Sequence, residues 1–107
     1  MSMTTPNIDD TLAERSERYG RFKDHAVIAQ AIQDAMRYAP GWNNLDPDQK
    51  QALTVISDKI ARMLNGDPTY LDNWHDIIGY PKLVETRMID DQAAAASLVA
   101  PGRARKK

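Results

Sequence analysis

Residues 57–83, SDKIARMLNGDPTYLDNWHDIIGYPKL, decide the fold. Apolar positions recur at helical spacing on both sides of Asn65-Gly66-Asp67-Pro68, which predicts two helices joined by a short turn. A turn that short makes the helices antiparallel neighbours. Residues equidistant from it then share a height: Lys59 comes level with about Asn73, and Arg62 with about Tyr70. Asp76 lies about one turn deeper, near Ile56. Cations precede the turn and carboxylates follow it, so opposite charges face each other across the pair. Asp72 and Asp76 are four apart, which stacks their carboxylates on one helix face. Such a pair repels unless it is neutralised by a divalent metal, by Lys59 or Arg62, or by a neighbouring chain. Two carboxylates plus waters suit Mg²⁺, often completed by substrate phosphates. The plain alternative is a hairpin whose polar flanks are salt-bridged.

Working outward, Asp46-Pro47-Asp48-Gln49 is a helix start. Asp46 serves as N-cap, Pro47 stands at the first helical position, and Gln49 completes a capping box. The third helix then runs to about Leu64 with Leu53, Ile56, Ile60 and Leu64 inward. Asp67-Pro68 repeats the device and is expected to start the fourth helix. There Trp74, Ile77, Ile78, Val84 and Met88 share one face. Asp72, Asp76, Gly79 and Leu83 share the other. A proline inside a helix removes a backbone bond and clashes with the preceding turn. A kink or break is therefore expected at Gly79 to Pro81, with helix resuming to about Ile89. Upstream, Asp9 or Asp10 caps a first helix that ends at Tyr19-Gly20. A second runs from about Phe22 to Tyr38, with Phe22, His25, Ile28, Ala29, Ile32 and Met36 in one stripe. Pro40-Gly41 stops it, and Trp42 falls in a loop.

These elements make one all-α domain over residues 9–89. A disordered N-terminus (1–8) precedes it. An Ala-rich segment and basic flexible tail (90–107) follow. The chain has 107 residues and a net charge of −1, which becomes −5 without Arg103, Arg105, Lys106 and Lys107. Nothing in that balance argues for nucleic acid as a partner. Absence of cysteine excludes disulfides and thiolate metal sites. No run of about 18 apolar residues is available to span a membrane. The N-terminus has neither the basic start nor the apolar core of a secretory signal. A helical hairpin with short flanking helices buries little surface, so self-association is expected.

The pattern K-I-A-R-x-L-N-G-D-P followed by D-N-W-H-D-I-x-G-Y resembles the MazG-like, all-α NTP pyrophosphohydrolase superfamily. With R-x-x-R-Y-G-x-F at Arg15 to Phe22, it is similar to a small phage and prophage branch of it. The resemblance covers roughly residues 11–89. It implies a four-helix MazG-like bundle built around the antiparallel hairpin and completed as a homodimer or tetramer. It also implies Mg²⁺-dependent cleavage of nucleoside triphosphates to monophosphate and pyrophosphate, in the cytoplasm of a bacterial host. That superfamily holds its metal with an E-x-x-E motif on one helix and E-x-x-D on the next. Here Asn73-x-x-Asp76 stands at the second motif and Lys59-x-x-Arg62 at the first.

On this resemblance Asp72 and Asp76 are the candidate catalytic and Mg²⁺-holding residues. Lys59, Arg62, Asn73, His75, Tyr19 and Tyr80 are the candidate nucleotide-binding residues. Lys59 and Arg62 suit phosphate directly, arginine as a bidentate fork and lysine as a point charge, so binding without hydrolysis stays open. Other readings concern single residues. His25, on an apolar face, reads as a hydrogen-bonded core histidine before a base or ligand. Trp42 is a candidate lid or partner contact, and Trp74 a core or dimer-interface residue. An interaction protein that binds and inhibits a host protein is the alternative function.

Overall fold

The computed structural model describes residues 7–98. Among them every regular element is helical: α1 (Ile8–Tyr19), α2 (Phe22–Tyr38), a short 3₁₀ turn (Pro40–Asn44), α3 (Pro47–Asn65) and α4 (Leu71–Ser97). The basic tail expected after Pro101 lies outside the described residues.

Local chemistry explains most of the boundaries. The Asp46 capping box forms, with the Asp46 N–H donating to Gln49 Oε1 at 2.7 Å. α1 is capped two positions before the nearer expected cap: Asn7 Oδ1 accepts from the Asp9 N–H at 2.7 Å, so neither Asp9 nor Asp10 is the cap. At the other end Gly20 takes φ 75°, where a side chain is strained, and its N–H returns to the Ser16 carbonyl. Asp67-Pro68 does not start α4. The Asp67 carboxylate is used inside the turn, accepting from the Thr69 N–H (2.8 Å) and hydroxyl (2.6 Å), and the helix begins at Leu71. Those hydrogen bonds hold the Asp67 carboxyl below its usual range.

The expected break at Pro81 is absent. α4 runs unbroken for 27 residues, and the Ala-rich segment to Ser97 belongs to it. The helix is pinned to α3 on both sides of the proline. Before it, Asp76 meets Lys59 at 3.0 Å. After it, the Arg87 guanidinium lies between Asp48 (2.9 Å) and Asp46 (3.0 Å) and also reaches Asp91 (3.1 Å). The fork on Asp48 holds that carboxyl below the usual carboxylate range. These anchors impose continuity where the proline opposes it.

α3 is the central helix, with α2 and α4 packed along it and α1 near its end. Small side chains fill the closest approaches: Ala29 on α2, and Ala52, Ser57 and Ala61 on α3 are buried. Several larger residues expected inside are not. Phe22 is 80% exposed and Leu64 69%. On α4 the packed face centres on Asn73, Ile77 and Val84, which turns Trp74 and Ile78 outward, contrary to expectation. The radius of gyration is 19.6 Å, well above the roughly 13 Å of a compact domain this size.

Candidate functional site

The site is organised by two touching turns. Asn65, closing α3, donates its Nδ2 to the carbonyls of Tyr19 (2.8 Å) and Arg21 (3.0 Å), and the Asp67 N–H donates to the Arg18 carbonyl (2.6 Å). A Cβ on Gly20 would collide with Asn65, and one on Gly66 with the backbone of Arg18 and Tyr19. Both glycines are required because the α1–α2 turn lies directly against the α3–α4 turn.

That contact gathers a cluster of aromatic rings and guanidinium groups. Tyr19 meets Tyr70 edge-on at 6.2 Å. The guanidinium of Arg62 lies 4.4 Å, and that of Arg15 5.3 Å, from the Tyr19 ring centroid. Arg18 lies 4.5 Å from the centre of Tyr70 and donates to its hydroxyl at 3.1 Å. The Tyr70 hydroxyl donates in turn to Asp72 at 3.0 Å, which raises the phenol pKa because the bond favours the protonated form.

Beside this cluster, α1, α2 and α3 enclose a cleft of about 400 Å³ lined by Arg15, Tyr19, Gly20, Phe22, His25, Asp58 and Arg62, with Leu12 and Ser16. In its wall His25 Nε2 lies 2.9 Å from Asp58 Oδ1, and Arg62 Nε 3.3 Å from Asp58 Oδ2. His25 is buried, as its place in the apolar stripe predicts, and Phe22 stacks over it at 6.1 Å. Its Nδ1 has no partner among the described residues. Arg15 forms no ion pair among them, while Arg62 shares Asp58 with the histidine. Two guanidinium groups against one carboxylate leave the cleft attractive to anions.

The residues expected to form one site divide. Tyr19 and Arg62 come together in the cleft. Lys59 and Asp76 pair with each other at 3.0 Å along the α3–α4 seam, Lys59 with its side chain only 14% exposed. Asp72 is held at the Tyr70 hydroxyl. Asn73 is 1% exposed, on the packed face of α4, and is closed to a substrate. His75 and Tyr80 are exposed on α4, and neither lines the cleft. Asp72, Asp76 and Asn73 therefore do not fit a shared Mg²⁺ centre: one carboxylate is engaged by an ammonium, the other by a phenol, and the amide between them is enclosed. Among the described residues no three His, Cys, Asp or Glu side chains gather as metal ligands. Trp42, expected as an exposed lid, is half-buried with Lys50 Nζ 5.8 Å from its ring centre, so the host-protein reading loses that anchor.

Arg15, Arg18, Asp58 and Tyr70 carry no functional role in the sequence reading, although signals for them exist. Arg15 and Arg18 open the R-x-x-R-Y-G-x-F run, and Asp58 stands four before Arg62, the spacing of a helical ion pair. Comparison with protein-family models, with curated proteins and with solved structures finds no match to this chain.

Proposed function

We propose that this protein binds a nucleotide, or another phosphate ester with a planar ring, in the α1–α2–α3 cleft. The observation that carries the proposal is the placement of Arg15 and Arg62 against the same Tyr19 ring in the cleft wall. Stacking orients each guanidinium while leaving N–H groups free for a phosphate, and arginine binds phosphate as a bidentate fork. The Phe22 ring, 80% exposed, offers a face for a base. Asp58 offers an acceptor for an exocyclic amine or a ribose hydroxyl. The function proposed is binding, because the carboxylates that would hold Mg²⁺ for hydrolysis are engaged by Lys59 and Tyr70.

Isothermal titration calorimetry with nucleosides and their mono-, di- and triphosphates, with and without Mg²⁺, tests it. Phosphorylated ligands bind and free nucleosides do not. Arg15→Ala removes a charge-assisted hydrogen bond worth about 1.5–3 kcal/mol, so affinity falls roughly 10- to 100-fold. Since Arg15 holds no ion pair among the described residues, the fold persists in that variant. No heat from any phosphorylated ligand at millimolar concentration refutes the proposal.

A further inference from the structure

Asp58 on α3 is shared by two partners. Its Oδ1 meets His25 Nε2 of α2 at 2.9 Å, and its Oδ2 meets Arg62 Nε, one turn further along α3, at 3.3 Å. A carboxylate carries one negative charge, so it compensates one cation. On its other side the Arg62 guanidinium lies against the Tyr19 ring at 4.4 Å. Its place is therefore fixed, and what can change is whether its charge is compensated.

His25 controls that change. It is 7% exposed, and its second nitrogen, Nδ1, has no hydrogen-bond partner among the described residues. A bond from that nitrogen to a carbonyl would hold one tautomer; without it, Nδ1 is available to a proton. The charged groups around the ring come from three helices. α3 supplies Asp58 and Arg62, and α1 supplies Arg15 across the cleft. On α2 itself Arg21 and Asp24 pair with each other at 3.0 Å. The 3₁₀ turn, Pro40–Asn44, holds no titratable side chain. With a neutral imidazole, the Nε2–H donates to Asp58 and the carboxylate charge is left to Arg62. With an imidazolium, the ring takes up that charge, and Arg62 joins Arg15 uncompensated. Neither hydrogen bond has to break.

We infer that His25, acting through Asp58, is a positioning residue that ties phosphate binding in this cleft to the uptake of a proton. The inference rests on the phosphate binding proposed above. Histidine changes charge between about pH 5 and 8, so affinity for a phosphate group rises as pH falls through that range. The gain is about tenfold, the worth of one charge-assisted hydrogen bond. Linkage makes the effect reciprocal: a bound anion favours the imidazolium by the same factor.

Adenosine 5′-monophosphate is the probe. Calorimetry compares the native chain with His25→Gln, whose side-chain amide donates to Asp58 but takes no proton. The ionisation of the phosphate itself is common to both proteins and cancels in the ratio of their affinities. The native chain is expected to bind about tenfold more tightly than the variant at about pH 5.5 and equally at about pH 8. Nuclear magnetic resonance reads the proton directly and needs no variant. The chain has two histidines, and His75, exposed on α4 and outside the cleft, serves as the reference. At a fixed pH between about 6 and 7, the probe is expected to move the ring nitrogen signals of His25 towards the imidazolium position and to leave those of His75 in place. Should His25→Gln unfold, the ring signals alone decide. Binding of the probe with an affinity ratio that does not change with pH, or with His25 signals that do not move towards imidazolium, overturns the inference and leaves the proposed binding intact. Absence of binding by every phosphorylated ligand removes that proposal and this inference together.

Discussion

Replacing Asn73 by leucine should stabilise this protein, although Asn73 is among its most enclosed residues. The side chain is 1% exposed, and neither its Oδ1 nor its Nδ2 finds a hydrogen-bond partner among the described residues. Each buried unsatisfied group costs about 1–3 kcal/mol, so the two together cost about 2–6 kcal/mol. Asn73→Leu keeps the branched shape and removes both polar groups. Burying the leucine contributes about 1.5–3 kcal/mol. The added volume costs about 1–3 kcal/mol in overpacking, which roughly offsets that gain. What remains is the lower end of the relieved penalty, a net stabilisation of about 2 kcal/mol. For a domain of this size that raises Tm by roughly 8–16 °C. Urea unfolding followed by far-UV circular dichroism measures it, at one fixed protein concentration because association also shifts apparent stability. The midpoint rises and the slope stays constant. A midpoint that falls at constant slope refutes the reasoning, since it would mean that the amide is satisfied in the native protein.

Pro81→Ala restores a backbone hydrogen bond in a helix that is continuous without it, and should raise stability by about 1–3 kcal/mol in the same urea assay. Gly20→Ala places a Cβ at φ 75° and against Asn65, so it lowers stability by about 2 kcal/mol or more and loosens the α1–α2 turn, readable as faster amide exchange there. For pH, the Asp48 carboxyl has its folded pKa below the unfolded value because of Arg87. Its contribution is therefore complete above the unfolded value near 4 and is lost as pH falls through the lower folded value. Thermal melts between about pH 2 and 6 should show that acid-limb loss in the native sequence and a shallower one in Arg87→Met.

Much of the helical layout is legible in the residues themselves, because its signals act over one or two turns. The capping box at Asp46, the glycine stop at Gly20 and the burial of His25 and Ala29 on one face of α2 are all local, and each forms as its spacing predicts. Pro81 and Asp67 mark the limit of that reasoning. Pro81 opposes an isolated helix, yet two long-range anchors, Lys59 to Asp76 and Arg87 to Asp48, hold α4 continuous through it. Asp67 has the look of a helix cap, but its carboxylate is spent on Thr69 within the turn.

The candidate site depended still more on tertiary structure. Hairpin register sets Lys59 level with Asn73 and Asp76 a turn deeper, whereas Lys59 pairs with Asp76 at 3.0 Å, and register within one hairpin says nothing about a third helix. The backbone contact of Gly20 with Asn65, and of Gly66 with Tyr19, carries α1 across the end of α3 and sets Tyr19, Arg15 and Arg62 together. The sequence by itself determined the bounds of α2 and α3, the stop of α1 and which residues are charged, since capping and periodicity are properties of neighbours along the chain. Only the tertiary structure decided which charges neutralise each other and which remain available to a ligand, since that depends on approaches between residues far apart along the chain, 33 positions for His25 with Asp58 and 39 for Arg87 with Asp48.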